Sequence, residues 1–360
     1  MAKSSSGPII AGVVLAVVAL GLVRYHPWTN TAKTTEPAAG TVHTGPNGTA
    51  HDSLTVGFLP VTCHLTCPVT DFASHTTTTG TNFDSQRFTD FPTVVDALKS
   101  KQIQATFMIV PLAMKLREDG VPVKICYLGH RDGSEIIVAK NSVGTSLRDF
   151  KGKTFALPSP YCNQNLVIHK LMEQQGLKQD DIKFVYMGPP DMPTSLASGA
   201  IDGYFVGEPF CAKAEVDKTG RVLYYAKDIW PNFISCGLVV HEDLIKSRPD
   251  VVKDLVRGIA QSGLWADTHG AEAAKVAAPY FRQDPKLLNY VLTQNPRIVK
   301  YEDLTPTDDD LQKINDMAVQ MHVLKHGVAM KDLIDRDFIP TDIKPADIDP
   351  NATPKVASAN

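Results

Sequence analysis

Six cysteines and eleven histidines hold most of the reactive side chains of this 360-residue chain. The run Cys63-His64-x-x-Cys67 puts two thiols and an imidazole within one helical turn. Thiolates and imidazoles gathered in one place suit zinc or Cu(I), so Cys63, His64 and Cys67 are candidate metal ligands. The set offers only three ligands, lacks a second matched pair, and runs in the wrong order for haem attachment. Three explanations of the cysteines therefore stand side by side: disulfides in an oxidising compartment, small buried hydrophobes, or a soft-metal or thiol-reactive site. Cys126, in the middle of an apolar run, reads as a core residue. No Gly-x-Ser-x-Gly, His-Glu-x-x-His or Walker loop occurs, so neither an enzyme nor a cofactor is expected, soft metal aside. His322 and His326 sit one turn apart in a polar stretch and read as a solvated face.

The elements that must position these groups belong to a chain of ordinary globular composition, 43% hydrophobic and 21% charged. With 36 basic and 39 acidic side chains the formal charge is -3, which argues against a nucleic-acid partner or a polybasic membrane clamp. Six cysteines are too few for a disulfide-built scaffold. Ile9 to Val23 runs without a charge, long enough for an export signal and short for a full membrane span. Residues 1–28 read as a signal sequence or anchor and 29–53 as a flexible linker rich in Thr, Pro, Gly and Ala. The tail from about 339 to 360 reads the same way. Between them, short apolar runs alternate with helical patterns. Strands are expected at Leu54–Pro60, Ala105–Ile109, Val123–Leu128, Glu135–Ala139 and Thr154–Leu157. Helices are expected at Phe91–Leu98, Pro111–Leu116 and Asn163–Gln175, with Gly120 and Gly176 as stops. This alternation predicts an α/β fold with parallel sheets.

An internal repeat refines that expectation. Leu98, Ser100, Ile103, Phe107 and Pro111 recur 98 residues later as Leu196, Ser198, Ile201, Phe205 and Pro209. Thr55 and Cys63 find Thr154 and Cys162 at nearly the same offset. Helix–turn–strand units resemble one another in general; the sharper reading is two similar α/β lobes whose strand ends face one cleft, where ligands bind in open α/β sheets.

The run from Ser195 to Phe210, with Gly207-Glu208-Pro209-Phe210 at its end, resembles the second-lobe signature of extracytoplasmic solute-binding proteins. It is similar to the nitrate/sulfonate/taurine type of the ABC importers, within a superfamily shared with thiamine-pyrimidine precursor proteins. Leu147 to Thr154, Leu112 to Leu116 before Gly120, and the helix start at Pro249 carry the same likeness, which covers about 54 to 300. The resemblance implies a two-lobed periplasmic-binding-protein-like fold (type II) hinged on two crossover strands. Lobe 1 would comprise 54–135 and 240–338, and lobe 2 would comprise 136–239 with the hinge strands. It also implies an extracytoplasmic monomer that captures a small anionic or polar organic ligand and delivers it to a membrane permease. A metal-handling or pyrimidine-precursor-synthase-like relative and a sensor domain are the alternatives.

In such a fold the ligand would meet loops at strand ends, where helix N-termini and backbone amides can hold an anion. The candidates are Thr62, Cys63 and His64 after the first strand and Phe107 and Met108 on the third. In the second lobe they are Tyr161, Cys162, Asn163, Asp191, Glu208 and Phe210, with Cys236 at the return crossover. No Lys or Arg lies in these loops, which favours a monoanion or a neutral polar ligand over a multiply charged anion. Glu208 would accept a ligand hydrogen bond or tie its loop to a backbone amide. Cys63 and Cys162, near helix starts, are expected to have lowered pKa values. Cys63 with Cys67, or Cys211 with Cys236, are the pairs that a disulfide could join without locking the hinge.

Overall fold

Short apolar runs, too short for helices and buried on both faces, build the centres of the two sheets, while Asn82–Arg87, Lys183–Tyr186 and Gly220–Tyr225 are more exposed strands at the edges. The computed structural model describes residues 43–44, 50–73, 77–294 and 298–351. The apolar segment expected to direct export, Ile9 to Val23, lies outside the described residues, as does most of the 29–53 linker. Within that linker His43–Thr44 pairs antiparallel with Ala50–His51. No helix among the described residues is long and apolar enough to cross a membrane.

The first sheet contains β1 (Ser53–Phe58), β2 (Asn82–Arg87), β3 (Ala105–Ile109), β4 (Val123–Leu128) and a late strand, β10 (Cys236–His241). Its order is β2-β1-β3-β10-β4. Helix α1 (Thr66–Ala73) precedes β2, and α2 (Phe91–Lys99) and α3 (Val110–Glu118) flank β3. Asp90 caps α2 by accepting from Thr93 N, and Pro92 and Pro111 sit in first turns, where a missing N–H costs nothing. All five residues of β3 are buried.

The second sheet contains β5 (Ser134–Ala139), β6 (Thr154–Leu157), β7 (Lys183–Tyr186), β8 (Gly203–Gly207) and β9 (Gly220–Tyr225). Its order is β7-β6-β8-β5-β9. Helices α4 (Asn163–Gln174), α5 (Met192–Ala197) and α6 (Phe210–Val216) follow β6, β7 and β8. The sheets match strand for strand. In each, four of the five strands share one direction and the fourth in order lies antiparallel to both its neighbours. The repeated unit therefore occupies equivalent places, ending α2 and forming β3 in one lobe, ending α5 and forming β8 in the other.

Wholly parallel sheets, the expectation from alternating elements, are not what the chain forms. The antiparallel strands are β10 and β5, the two that receive the chain as it crosses between lobes. The crossovers are consequently shorter than expected, with Ser134–Ala139 wholly in the second sheet and Cys236–His241 wholly in the first. Between them, Asp132 N donates to Phe233 O at 2.8 Å and Arg131 bridges Ile234 antiparallel, so the connections brace each other. Asp132 and Gly133 are both left-handed, with φ of 64° and 63°. A Cβ on Gly133 would also lie 2.9 Å from the His130 ring, so glycine is required there.

After β10 the chain is mostly helical, apart from Val299–Lys300, which pairs antiparallel with Arg131–Asp132. Helix α7 (Pro249–Thr268) lies across α1, where Gly258 admits Thr70 and Thr70 Oγ1 meets Ser262 Oγ at 3.1 Å. Helix α8 (Gly270–Phe281) stacks Phe281 on Phe58 of β1, ring centroids 6.0 Å apart. The expected loose tail is partly packed: Ala346 and Ile348 are buried and Ala346 N donates to Gln261 O of α7. Two apolar side chains at that spacing are enough to hold a short extended segment against a helix.

Candidate site at the lobe interface

Thr62–His64 form a single tight turn where the chain leaves β1, and all three residues are buried. Leu59 N–H donates to His64 Nδ1 at 2.8 Å, which fixes the imidazole and leaves the ring proton on Nε2. That Nε2 is buried and has no hydrogen-bond partner. The ring stacks on Phe107 of β3, centroids 5.4 Å apart, and meets Phe91 edge-on. Cys63 Sγ donates to Cys236 Sγ, the first residue of β10, at 2.9 Å. Gly129 closes the turn from below: its N–H donates to Cys236 O, and a Cβ there would lie 2.1 Å from Cys63 O. Thr62 is held by its Oγ1 at 3.0 Å from His130 Nε2 and by its carbonyl, which accepts from Tyr301 Oη at 2.9 Å.

The second lobe meets this turn directly. Thr62 N donates to the Glu208 carbonyl at 2.7 Å. Cys162 caps α4, its sulfur accepting from Asn165 N at 3.3 Å. The next three residues are buried amides. Asn163 Nδ2 donates to Ile234 O, and Gln164 Nε2 donates to Ser134 Oγ and Ser235 Oγ at 3.3 and 3.2 Å. The first turn of α4 thus holds both crossovers. Asn163 Oδ1, Gln164 Oε1 and Asn165 Oδ1 remain without partners, as do Glu208 Oε1 and Glu135 Oε2. Buried acceptors with no donor are costly unless something supplies one.

Electrostatics follow burial. Glu208 is pushed up to about 8 by burial, against an opposing hydrogen bond from Ala212 N to its Oε2 at 2.9 Å. Burial and then the neighbouring Glu208 raise Glu135 well above the carboxylate range. Burial lowers His130 to about 3, helped by nearby His64. Burial alone would raise Cys236, yet its hydrogen bond with Cys63, the nearness of the His64 ring and its contact with Ser235 bring it down to about 5.

Several sequence expectations need correction. Burial raises Cys63 well above the ordinary thiol value and raises Cys162 to about 12, so the helix starts do not make these thiols acidic. The acidic thiol is Cys236. Cys67 does not join Cys63 and His64; its sulfur meets Ser85 Oγ of β2 at 3.2 Å and Val56 O of β1 at 3.7 Å. Cys211 faces Val206 O and Glu135 O rather than Cys236. All six cysteines are free thiols. Asp191 is exposed beside α5, and Met108 lies in β3 opposite Gly237. Phe210 is buried at the start of α6, where its carbonyl accepts from Tyr204 Oη at 2.7 Å. Tyr161 is half-buried, its N–H on Ser159 Oγ. Residues that sequence reading passed over are Gly129, His130, Glu135, Gln164, Ser235 and Tyr301. One signal was available for two of them, since a Glu in the apolar run 134–139 and a row of amides on a buried helix face both call for partners.

Comparison with known proteins places these features. The model of the NMT1-like family matches residues 47–280. The nitrate import ATP-binding protein of Synechocystis is 24% identical over 48% of the chain, which spans 29% of that protein. A putative binding protein of Brucella abortus is 22% identical, over 72% of this chain and 82% of its own length. The taurine-binding periplasmic protein of Escherichia coli is 28% identical over 48% of the chain and 54% of its own. Among solved structures, a zinc-bound ligand-binding component of an ABC-type import system from Staphylococcus aureus superposes with a TM-score of 0.73 at 25% identity, covering 79% of this chain and 97% of that one. The nitrate-binding protein of Synechocystis gives 0.65 at 14% identity, covering 81% and 92%. A desulfurization enzyme gives 0.56 at 15%, covering 80% and 97%, a likeness of fold alone. With matched sheets, paired crossovers and these relatives, the chain belongs to the NMT1-like family and has the fold of solute-binding components of ABC importers, among them those for nitrate and sulfonates.

Proposed function

We propose that this protein is the extracytoplasmic solute-binding subunit of an ABC importer, holding a small polar ligand between its lobes and presenting it to a membrane permease. The observation that carries this reading is the meeting of the β1 turn with lobe 2, through Thr62 N and Glu208 O, beside two braced crossovers. A short double crossover lets lobes rotate as bodies around a ligand. Of the expected residues, Thr62, Cys63, His64, Phe107, Cys162, Asn163, Glu208 and Cys236 form the site; Asp191, Met108 and Tyr161 stand at its margin. Its chemistry favours a ligand with its own donors. No basic side chain occurs in these loops, whereas the side-chain oxygens of Asn163, Gln164 and Asn165 stand without partners. A zwitterion of the taurine kind supplies both halves, an ammonium for those oxygens and an anionic end for the α4 N-terminus.

Binding rather than catalysis is the reading of the Cys236–His64 pair as well. With Nδ1 occupied by Leu59 N–H and the ring proton on Nε2, His64 offers no lone pair to take a proton from sulfur. Calorimetric titration with taurine, an alkanesulfonate and nitrate tests the proposal. Saturable one-to-one binding is expected, with taurine tightest. Absence of heat with all three, at a concentration where the protein is folded, would remove the ligand assignment.

A further inference from the structure

We propose that Cys63 and Cys236 hold one closed-shell thiophilic cation between their sulfurs, with His64 as the third group of the site. Sγ of Cys63, Sγ of Cys236 and a ring nitrogen of His64 all lie within 4.8 Å of one another, and all three residues are buried. They come from two separate strand ends, 173 residues apart in sequence for the two sulfurs. Metal–sulfur bonds of about 2.3 Å allow one ion to hold two sulfurs up to about 4.6 Å apart. From their present 2.9 Å the thiols need only turn away from each other.

The surroundings select the kind of ion. The trio contains no carboxylate, and Phe107 and Phe91 wall the imidazole. Magnesium and calcium require oxygen ligands, so a soft ion is favoured. His64 further sets the coordination number. Because Leu59 N–H occupies Nδ1, the unpartnered Nε2 carries the proton and acts as a donor to a coordinated thiolate, a support of the kind that orients and tunes metal ligands. Two thiolates without a nitrogen ligand suit Cu(I) better than Zn(II), which is almost always four-coordinate. On binding, each thiol still protonated releases its proton to water and no electron moves, so the ion keeps its oxidation state.

The test needs no solute, so its failure leaves the solute-binding reading standing. Reduced, metal-free protein is loaded under anaerobic conditions with Cu(I) delivered from a weak chelator, then desalted and assayed for metal and for thiolate-to-copper charge-transfer absorption. One Cu(I) per chain is expected in the parent and in Cys67→Ser, and none in Cys63→Ser or Cys236→Ser. His64→Phe should keep the stoichiometry but surrender the ion to about tenfold less competing chelator. Should a cysteine variant fail to fold, X-ray absorption at the copper edge of the parent decides: two sulfur neighbours are expected, and a shell of nitrogen or oxygen alone overturns the proposal. Equal loading of a folded Cys63→Ser/Cys236→Ser variant also overturns it, as does a disulfide between these two residues in freshly isolated protein. Tighter retention of Zn(II) than of Cu(I) overturns the two-thiolate assignment.

Discussion

Glu208 does two jobs through different atoms: its carbonyl receives Thr62 N from the first lobe and its carboxyl Oε2 receives Ala212 N. Its acidity has a consequence for the whole protein. The folded value, raised to about 8 from an ordinary 4.5, means that the folded chain keeps a proton the unfolded chain has lost. Stability from this group is therefore fully present below about pH 4.5 and is lost as pH rises through about 8. Glu135 shifts the same way. Urea denaturation between pH 5 and 8.5 should show stability declining towards the alkaline end, with a shallower decline in Glu208→Gln. An unaltered slope in that variant would assign the pH dependence elsewhere. At this scale the sequence was a partial guide. Cys63, His64 and Cys236 are legible as candidates at one cleft, but one-turn spacing groups Cys67 with the first two, whereas Cys67 packs on Ser85 and the sulfur that meets Cys63 is Cys236. Spacing along a helix carries no information about a partner that only sheet pairing delivers.

Elements were easier to read than contacts, because a strand buried on both faces has to be a short apolar run and a helix start has to satisfy its own amides. The runs at Ala105–Ile109, Val123–Leu128 and Thr154–Leu157 are strands with those bounds. Strand direction was not legible, since β5 and β10 are short runs with apolar centres like the strands on either side of them, and what sets their direction is where the chain enters them. Two predictions belong here. Cys162→Ala removes the sulfur that accepts Asn165 N, and a lost cap costs about 1 kcal/mol. Chemical denaturation should show a loss of that order, and Cys162→Ser, which restores an acceptor, should recover most of it. Gly129→Ala is harsher. Its Cβ would sit 2.1 Å from Cys63 O, against backbone rather than a yielding side chain. Either β4 or the Thr62–His64 turn must move, so stability should fall by about 2 kcal/mol or more. Folded Gly129→Ala should also lose Cu(I) retention without losing any ligand atom, and a variant as stable as the parent would show that the close approach matters little.

At the scale of the whole molecule, two lobes of equal strand order meet through the Thr62–Glu208 backbone bond and through polar bonds at the crossovers. Asp132 braces them by accepting from Phe233 N at 3.1 Å and pairing with Lys300 at 3.0 Å. Gln164 adds a tie from lobe 2 to Ser134 and Ser235, one on each crossover. The bond to Ser134 lies within lobe 2, whereas the bond to Ser235, the residue before β10 of the first sheet, ties the lobes and favours the closed form by its net worth, about 1 kcal/mol. Removing it in Gln164→Ala should shift a closed–open equilibrium by a factor of about 5. A ligand that binds the closed form must then supply the difference, and its apparent affinity falls by as much as the closed fraction does. Small-angle scattering of the ligand-free variant should give a larger radius of gyration than the parent, and saturating ligand should bring the two together. Taurine, or whichever of the three titrants binds, is the probe. Equal radii in parent and variant, with and without that probe, would mean that the lobes are held by their packing and that Gln164 serves the local order of α4 alone.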